Sequence, residues 1–174
     1  MEAKKSPKTF LVANNIRSAY NVGALFRIAS SLGASLILQG ITPHPKVSND
    51  TRLPYVIEKA EKELAKTSLN TISLVPFYYF KREEEVIQFL KRQTVSIYVL
   101  ENNLKKAVNL FDLKKQDLTV NYALVLGHET EGVNELFIKE ADKIIFIPSF
   151  GDKSSLNVSV TAGIAGYCLK KLSM

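Results

Sequence analysis

The stretch Thr9-Phe10-Leu11-Val12-Ala13-Asn14-Asn15-Ile16-Arg17-Ser18-Ala19-Tyr20-Asn21-Val22-Gly23-Ala24-Leu25-Phe26-Arg27 holds both of the periodicities on which the fold turns. Thr9–Ala13 is a short, nearly continuous apolar run, the form a strand takes when both of its faces are covered. From Ala19 to Leu32 the apolar residues Val22, Leu25, Phe26, Ala29 and Leu32 recur at spacings of three and four. That spacing predicts an amphipathic helix, with Gly33 placed to end it and Arg27 off the apolar stripe. Strand, polar turn and helix in this order are the unit from which parallel sheets are built.

The unit repeats outward along the chain. Ser35–Leu38, Thr71–Val75, Val95–Leu100, Tyr122–Leu126 and Lys143–Ile147 read as further strands, rich in Val, Ile, Leu and Tyr. Asp50–Lys66 and Arg82–Arg92 read as charged surface helices, and the polar segment Thr42–Thr51, among Pro43, Pro45 and Pro54, reads as a loop. The expectation is an α/β fold, a mostly parallel six-stranded sheet with helices on both faces. The last helix, about Leu156–Leu172, differs because its apolar residues line two sides: Leu156, Val160, Ile164, Tyr167 and Cys168 on one, Val158, Ala165, Leu169 and Leu172 on the other. A small domain ending in such a helix suggests a second subunit, and a homodimer is expected.

The length of 174 residues suits one domain, and 46% apolar with 23% charged residues is a globular mix. No apolar run approaches the roughly 20 residues of a membrane span. One cysteine, Cys168, offers no intramolecular disulfide, so a cytoplasmic location is expected. A net charge of +6 favours polyanionic partners without choosing among them. The first turn lacks G-x-G-x-x-G, and Gly151-Asp152-Lys153-Ser154 lacks the preceding glycine of a phosphate loop, where Phe146 stands instead. His44 and His128 show no ligand spacing, so no metal is expected.

Ligands of open α/β sheets gather beyond the carboxyl ends of strands, and three polar blocks follow strands in this chain. They are Asn14 through Arg27, then Leu126-Gly127-His128-Glu129-Thr130-Glu131-Gly132-Val133-Asn134, then Ile147-Pro148 through Ser155-Leu156-Asn157-Val158-Ser159-Val160. The patterns N-x-G-x-x-x-R, G-x-E-x-x-G and I-P with S-L-N-V-S-V in this order resemble SpoU-type RNA ribose 2′-O-methyltransferases of the SPOUT superfamily. That resemblance implies a deep carboxyl-terminal trefoil knot, an obligate homodimer and S-adenosylmethionine as cofactor. It implies an RNA substrate too, and with a single domain and no appended RNA-binding domain expected, a compact tRNA is favoured over rRNA.

The resemblance also assigns residues. Arg27, supplied by the partner subunit, would act on the 2′-hydroxyl. A guanidinium stays protonated in proteins, so charge stabilisation suits it better than proton abstraction. Asn21 would shape the entrance, Glu129 would orient Arg27 or an RNA group, and Ser155 and Asn157 would position substrate and cofactor. Backbone at Leu100, Gly127, Ile147 and Leu156 would hold the adenosine. His128 stands where relatives often carry Asn, Ser or Ala, which leaves an acid–base role for it without support. Asn15 and Arg17, the loop Thr42–Thr51 and Lys4, Lys5 and Lys8 are weaker candidates for RNA contact. The rival readings are a non-catalytic RNA-binding protein of the same fold and a small-molecule α/β enzyme; the latter would lead one to expect a Ser–His pair or a cofactor loop.

Overall fold

The computed structural model describes residues 8–102, 104–152 and 155–173. Its strands are β1 (Thr9–Asn14), β2 (Ser35–Gln39), β3 (Phe77–Phe80), β4 (Ser96–Leu100), β5 (Val108–Asn109), β6 (Tyr122–Leu126) and β7 (Lys143–Phe146). Its helices are α1 (Ala19–Leu32), α2 (Pro54–Ser68), α3 (Glu83–Gln93), α4 (Glu135–Lys139) and α5 (Val158–Ser173). The strands form one sheet in the order β3-β2-β1-β6-β4-β7-β5, and every pairing is parallel.

Alternation along β1 divides the core. Leu11 and Ala13 face a layer of α1 and α5, joined by Leu25, Phe26, Ala165 and Leu169. Phe10 and Val12 face the opposite layer, where α3 and α4 contribute Val86, Leu90 and Phe137. Both faces of β1 and β6 are therefore covered, which is why their sequences are apolar without a break. None of the helices is long and apolar enough to cross a membrane among the described residues.

Two expectations about strands are corrected. Thr71–Val75 is not a strand: Thr71–Ser73 is a turn of 3-10 helix, and Leu74 is exposed. Leu69 and Asn70 both take left-handed backbone as α2 ends, and Pro76 cannot donate a ladder hydrogen bond, so pairing starts only afterwards. The aromatic run Phe77–Phe80 then pairs with Leu36–Gln39. The sheet has seven strands, because Val108–Asn109 adds a two-residue edge too short to leave a pattern.

Boundaries shift elsewhere for local reasons. α2 starts at Pro54, where proline occupies the first turn, and the Asp50 side chain instead grips Arg52. Gly33 ends α1 as expected, with φ of 61°. The loop 42–51 is pinned: Thr42 Oγ1 accepts from the Ile16 amide at 3.0 Å, and the buried His44 ring stacks on Tyr79 at 3.7 Å. α5 presses one side against α1, with Gly166 under Leu32, while Val160 and Tyr167 remain exposed on the other. Lys4 and Lys5 lie outside the described residues, and Lys8 Nζ bonds Gln93.

Candidate functional site

Because all strands run parallel, the segments that follow β1, β4, β6 and β7 collect at one end of the sheet. A cavity of about 710 Å³ opens there. Leu100, Leu126 and Leu156 give it apolar wall, and Glu101, Glu129 and Glu131 give it carboxylates. Ser155 and Asn157 line it, as does Gly127, and no lysine or arginine does among the described residues. Of the expected cofactor contacts, Leu100, Gly127 and Leu156 are thus brought together. Ile147 is not on the lining and is buried in the core beside them.

A chain of hydrogen bonds ties the three sequence blocks together. The Asn157 side-chain amide donates to Asn21 Oδ1 at 3.1 Å, and the Asn21 amide donates to Glu129 Oε1 at 3.0 Å. Ser18 supplies the local cap, accepting from the Asn21 backbone, so the Asn21 side chain is free to reach 108 residues ahead. Asn157 Oδ1 accepts from the Ser159 amide at 2.9 Å and so caps the start of α5. Ser154 lies outside the described residues. Burial would raise the Glu129 carboxyl, but hydrogen bonds from its own amide, the Asn21 side chain and the amides of Arg17 and Ser18 outweigh it. The carboxyl sits below its ordinary range and is an acceptor, ionised at neutral pH.

The turn that carries Glu129 is closed tightly. The His128 amide donates to the Gly132 carbonyl at 2.9 Å, and the Gly132 amide donates back at 3.0 Å. His128 Nδ1 accepts from the amides of Thr130 and Glu131 at 3.2 and 3.3 Å, which commits it to the turn. The turn is anchored from outside by residues to which sequence reasoning gave no role. Glu101 Oε2 accepts from the Val133 amide at 3.2 Å. Asn14, fully buried, accepts from the Asn134 amide at 2.9 Å and donates to Gln39 Oε1 at 2.6 Å. Asn134 in turn donates to Glu83. A polar residue closing an apolar strand was the available signal for Asn14 and Gln39, since each must find a partner once buried.

Arg27 stands apart. It is exposed on α1, does not line the cavity of its own chain, and its guanidinium has no hydrogen-bond or ion-pair partner among the described residues. Helix geometry sets it about 9 Å along the axis from Asn21 and roughly a third of a turn round. Glu129 therefore pairs with Asn21 and not with Arg27 in this chain. Asn15 is spent on the backbone: it takes φ of 55°, and its Oδ1 accepts from the Ile41 amide. Among the described residues no three His, Cys, Asp or Glu side chains group as metal ligands.

Chemically, the cavity suits an amphiphilic molecule with a cationic part, held beside a fixed amide–carboxylate chain. The chain resembles the 23S rRNA (guanosine-2′-O-)-methyltransferase RlmB of Blochmanniella floridana, at 29% identity over 88% of this chain and 54% of that protein. It is 26% identical to the RlmB of Xanthomonas campestris pv. campestris over 94% of this chain and 59% of that one. The chain thus spans little more than half the length of these curated relatives. Its fold matches an AdoMet-bound rRNA methyltransferase from Sinorhizobium meliloti with a TM-score of 0.76 and 20% identity, over 96% of this chain and 57% of the other. A structure described as giving insights into 2-OH methylation of C/U34 on tRNA matches at 0.71 and 19%, covering 96% of this chain and 97% of that one. The model of the SpoU rRNA methylase family matches residues 8–167, and with three motifs and one sheet end in agreement, the chain belongs to that family.

Proposed function

We propose that this chain transfers a methyl group from S-adenosylmethionine to a ribose 2′-hydroxyl of RNA. The observation that carries the reading is the Asn157–Asn21–Glu129 chain, which joins all three motifs at the edge of a carboxylate-lined cavity. That cavity fits the cofactor: about 710 Å³ lies within the usual range for small-molecule sites, and Glu101, Glu129 and Glu131 favour a sulfonium. Leu100 and Leu156 would flank the adenine, and Ser155 and Asn157 would meet its polar parts. When bound, S-adenosylmethionine supplies an electrophilic methyl group.

The rest belongs to the protein. Arg27 stays protonated and stabilises the negative charge that grows on the ribose oxygen as its proton passes to solvent. Ionised Glu129 fixes Asn21 and the entrance between α1 and the 127–134 turn. The exposed Arg27, off its own cavity, supports a homodimer in which it serves the neighbour's site. The uncovered side of α5, with Val160 and Tyr167, supports the same assembly. A carboxyl-terminal trefoil knot belongs to this reading, supported by β7 lying between β4 and β5, both earlier in the chain. An RNA substrate and a lone Cys168 support a cytoplasmic protein.

The RNA class divides into two readings. The names of the curated relatives favour 23S rRNA. The full-length match to a structure described with tRNA favours tRNA. Ribose-methylation sequencing of both RNAs, from cells with and without the gene and after incubation of the purified protein with methyl donor, tests the proposal. Cofactor-dependent methylation of one defined ribose is expected. Saturable RNA binding without cofactor affinity or methyl transfer would overturn it in favour of a non-catalytic binding protein.

A further inference from the structure

Tyr20 is a large aromatic residue at the start of α1 that stands 52% exposed, directly before Asn21 of the candidate site. Its position on the helix is informative. Tyr20, Ala24, Arg27 and Ser31 recur at spacings of four, three and four, so they share one stripe of α1 that reaches the surface. The ring thus lies two turns, about 10 Å along the axis, from Arg27 on the same face. Ala24 between them is small and leaves the stripe unobstructed.

The backbone beneath the ring is held rigidly. Thr67 Oγ1 donates to the Tyr20 carbonyl at 2.9 Å, and Gly23 lets α2 pass so close that a Cβ there would meet the Leu64 carbonyl oxygen at 2.7 Å. Lys66 Nζ lies 5.6 Å from the ring centroid and 3.3 Å from the phenolic oxygen. Arg17 is exposed three residues earlier, and none of Arg17, Arg27 and Lys66 forms an ion pair among the described residues. A half-exposed aromatic ring on a held backbone, with Lys66 over it and Arg17 and Arg27 exposed nearby, matches the chemistry of an unstacked base on its phosphate backbone beside the proposed site.

We propose that Tyr20 is a stacking platform for a nucleobase adjoining the target nucleotide, with Lys66 and Arg17 meeting the flanking phosphates. The inference rests on the RNA methyltransferase reading and adds to it the strand conformation at the site: the RNA must be single-stranded and unstacked there.

Fluorescence anisotropy with labelled oligoadenylate and oligouridylate tests it on the full chain. Wild type is expected to bind oligoadenylate more tightly, since the purine presents more surface to stack. Tyr20→Leu is expected to lose about tenfold in oligoadenylate affinity and to abolish the preference. Tyr20→Phe keeps the ring and is expected to retain both. Equal affinity of Tyr20→Leu and wild type for oligoadenylate, or no base preference in wild type, would overturn the platform. So would a Tyr20→Leu protein that changes sedimentation without changing RNA affinity, because the face would then belong to a second copy. Failure of the platform with methyl transfer intact leaves the enzyme reading standing, whereas loss of cofactor binding and methyl transfer in wild type removes the reading itself.

Discussion

A Cβ at position 127 would fall 2.2 Å from the Gly132 carbonyl carbon and 2.3 Å from the Val133 amide nitrogen, so Gly127 is demanded by the turn itself before any ligand arrives. Gly127→Ala must therefore push the 127–134 turn outward. A loss of about 1–3 kcal/mol in stability is expected by thermal unfolding, together with weaker cofactor binding by calorimetry. An alanine variant with wild-type binding would show that the turn adapts. His128 is committed to the same turn through Nδ1, and His128→Ala is expected to cost about 1 kcal/mol while leaving the shape of the pH–rate profile unchanged. Glu129 carries the pH argument. Its folded pKa is depressed, so its stabilising contribution is present above the ordinary carboxylate value and fades as pH falls through the lower folded one. Asn21→Leu removes one donor and is expected to move the Glu129 titration, followed by carboxyl carbon NMR, to higher pH. An unmoved titration would mean that Asn21 contributes nothing to that carboxylate.

At the level of elements, the crossing of α1 and α2 turns on Gly23, whose absent side chain is replaced by Thr67 Oγ1 and the Leu64 carbonyl. Gly23→Ala is expected to cost about 1–3 kcal/mol and to disturb Tyr20 and Asn21 together, and Thr67→Ala to relieve part of that loss in the double variant. The glycine of the first motif was legible, but its reason was not, because α2 lies some forty residues on. The same limit governed the rest. Periodicity within one element sufficed for α1 and its Gly33 stop, and continuous apolar runs sufficed for β1, β4 and β6. Thr71–Val75 was misread because Ile, Leu and Val carry strand propensity whatever the backbone does, while the left-handed pair Leu69–Asn70 and Pro76 decided the matter. The anchoring of the 127–134 turn by Asn14 and Asn134 spans 120 residues, a separation at which spacing has no meaning. Arg52 and Asp50 illustrate the loop case. The guanidinium holds the carboxyl well below the usual range, so that pair stabilises the segment at neutral pH and stops doing so as acid titrates the folded carboxylate.

For the whole molecule the proposed function turns on which cavity Arg27 would serve. In one chain the cavity holds Glu129, Ser155 and Asn157 but not Arg27, which stands exposed on α1. α5 is covered on one side by α1, where Ala162, Ala165 and Leu169 are buried, and bare on the other at Val160 and Tyr167, each about half exposed. An apolar helix side left in water costs free energy that a second copy would recover, since burial is worth about 25 cal/mol per Å². If the second copy brings its Arg27 to the first copy's cavity, each site is shared between chains, and complementation reveals it. Arg27→Ala has a sound cavity and no guanidinium; Leu156→Trp fills the cavity but keeps Arg27. Each variant alone is expected to be inactive. When the two are unfolded together and refolded as a mixture, half the dimers are mixed, and each has one complete site, so about a quarter of wild-type methyl transfer is expected to return. Were Arg27 to act on the cavity of its own chain, no combination of these subunits would contain a complete site, and the mixture would stay as inactive as its parts.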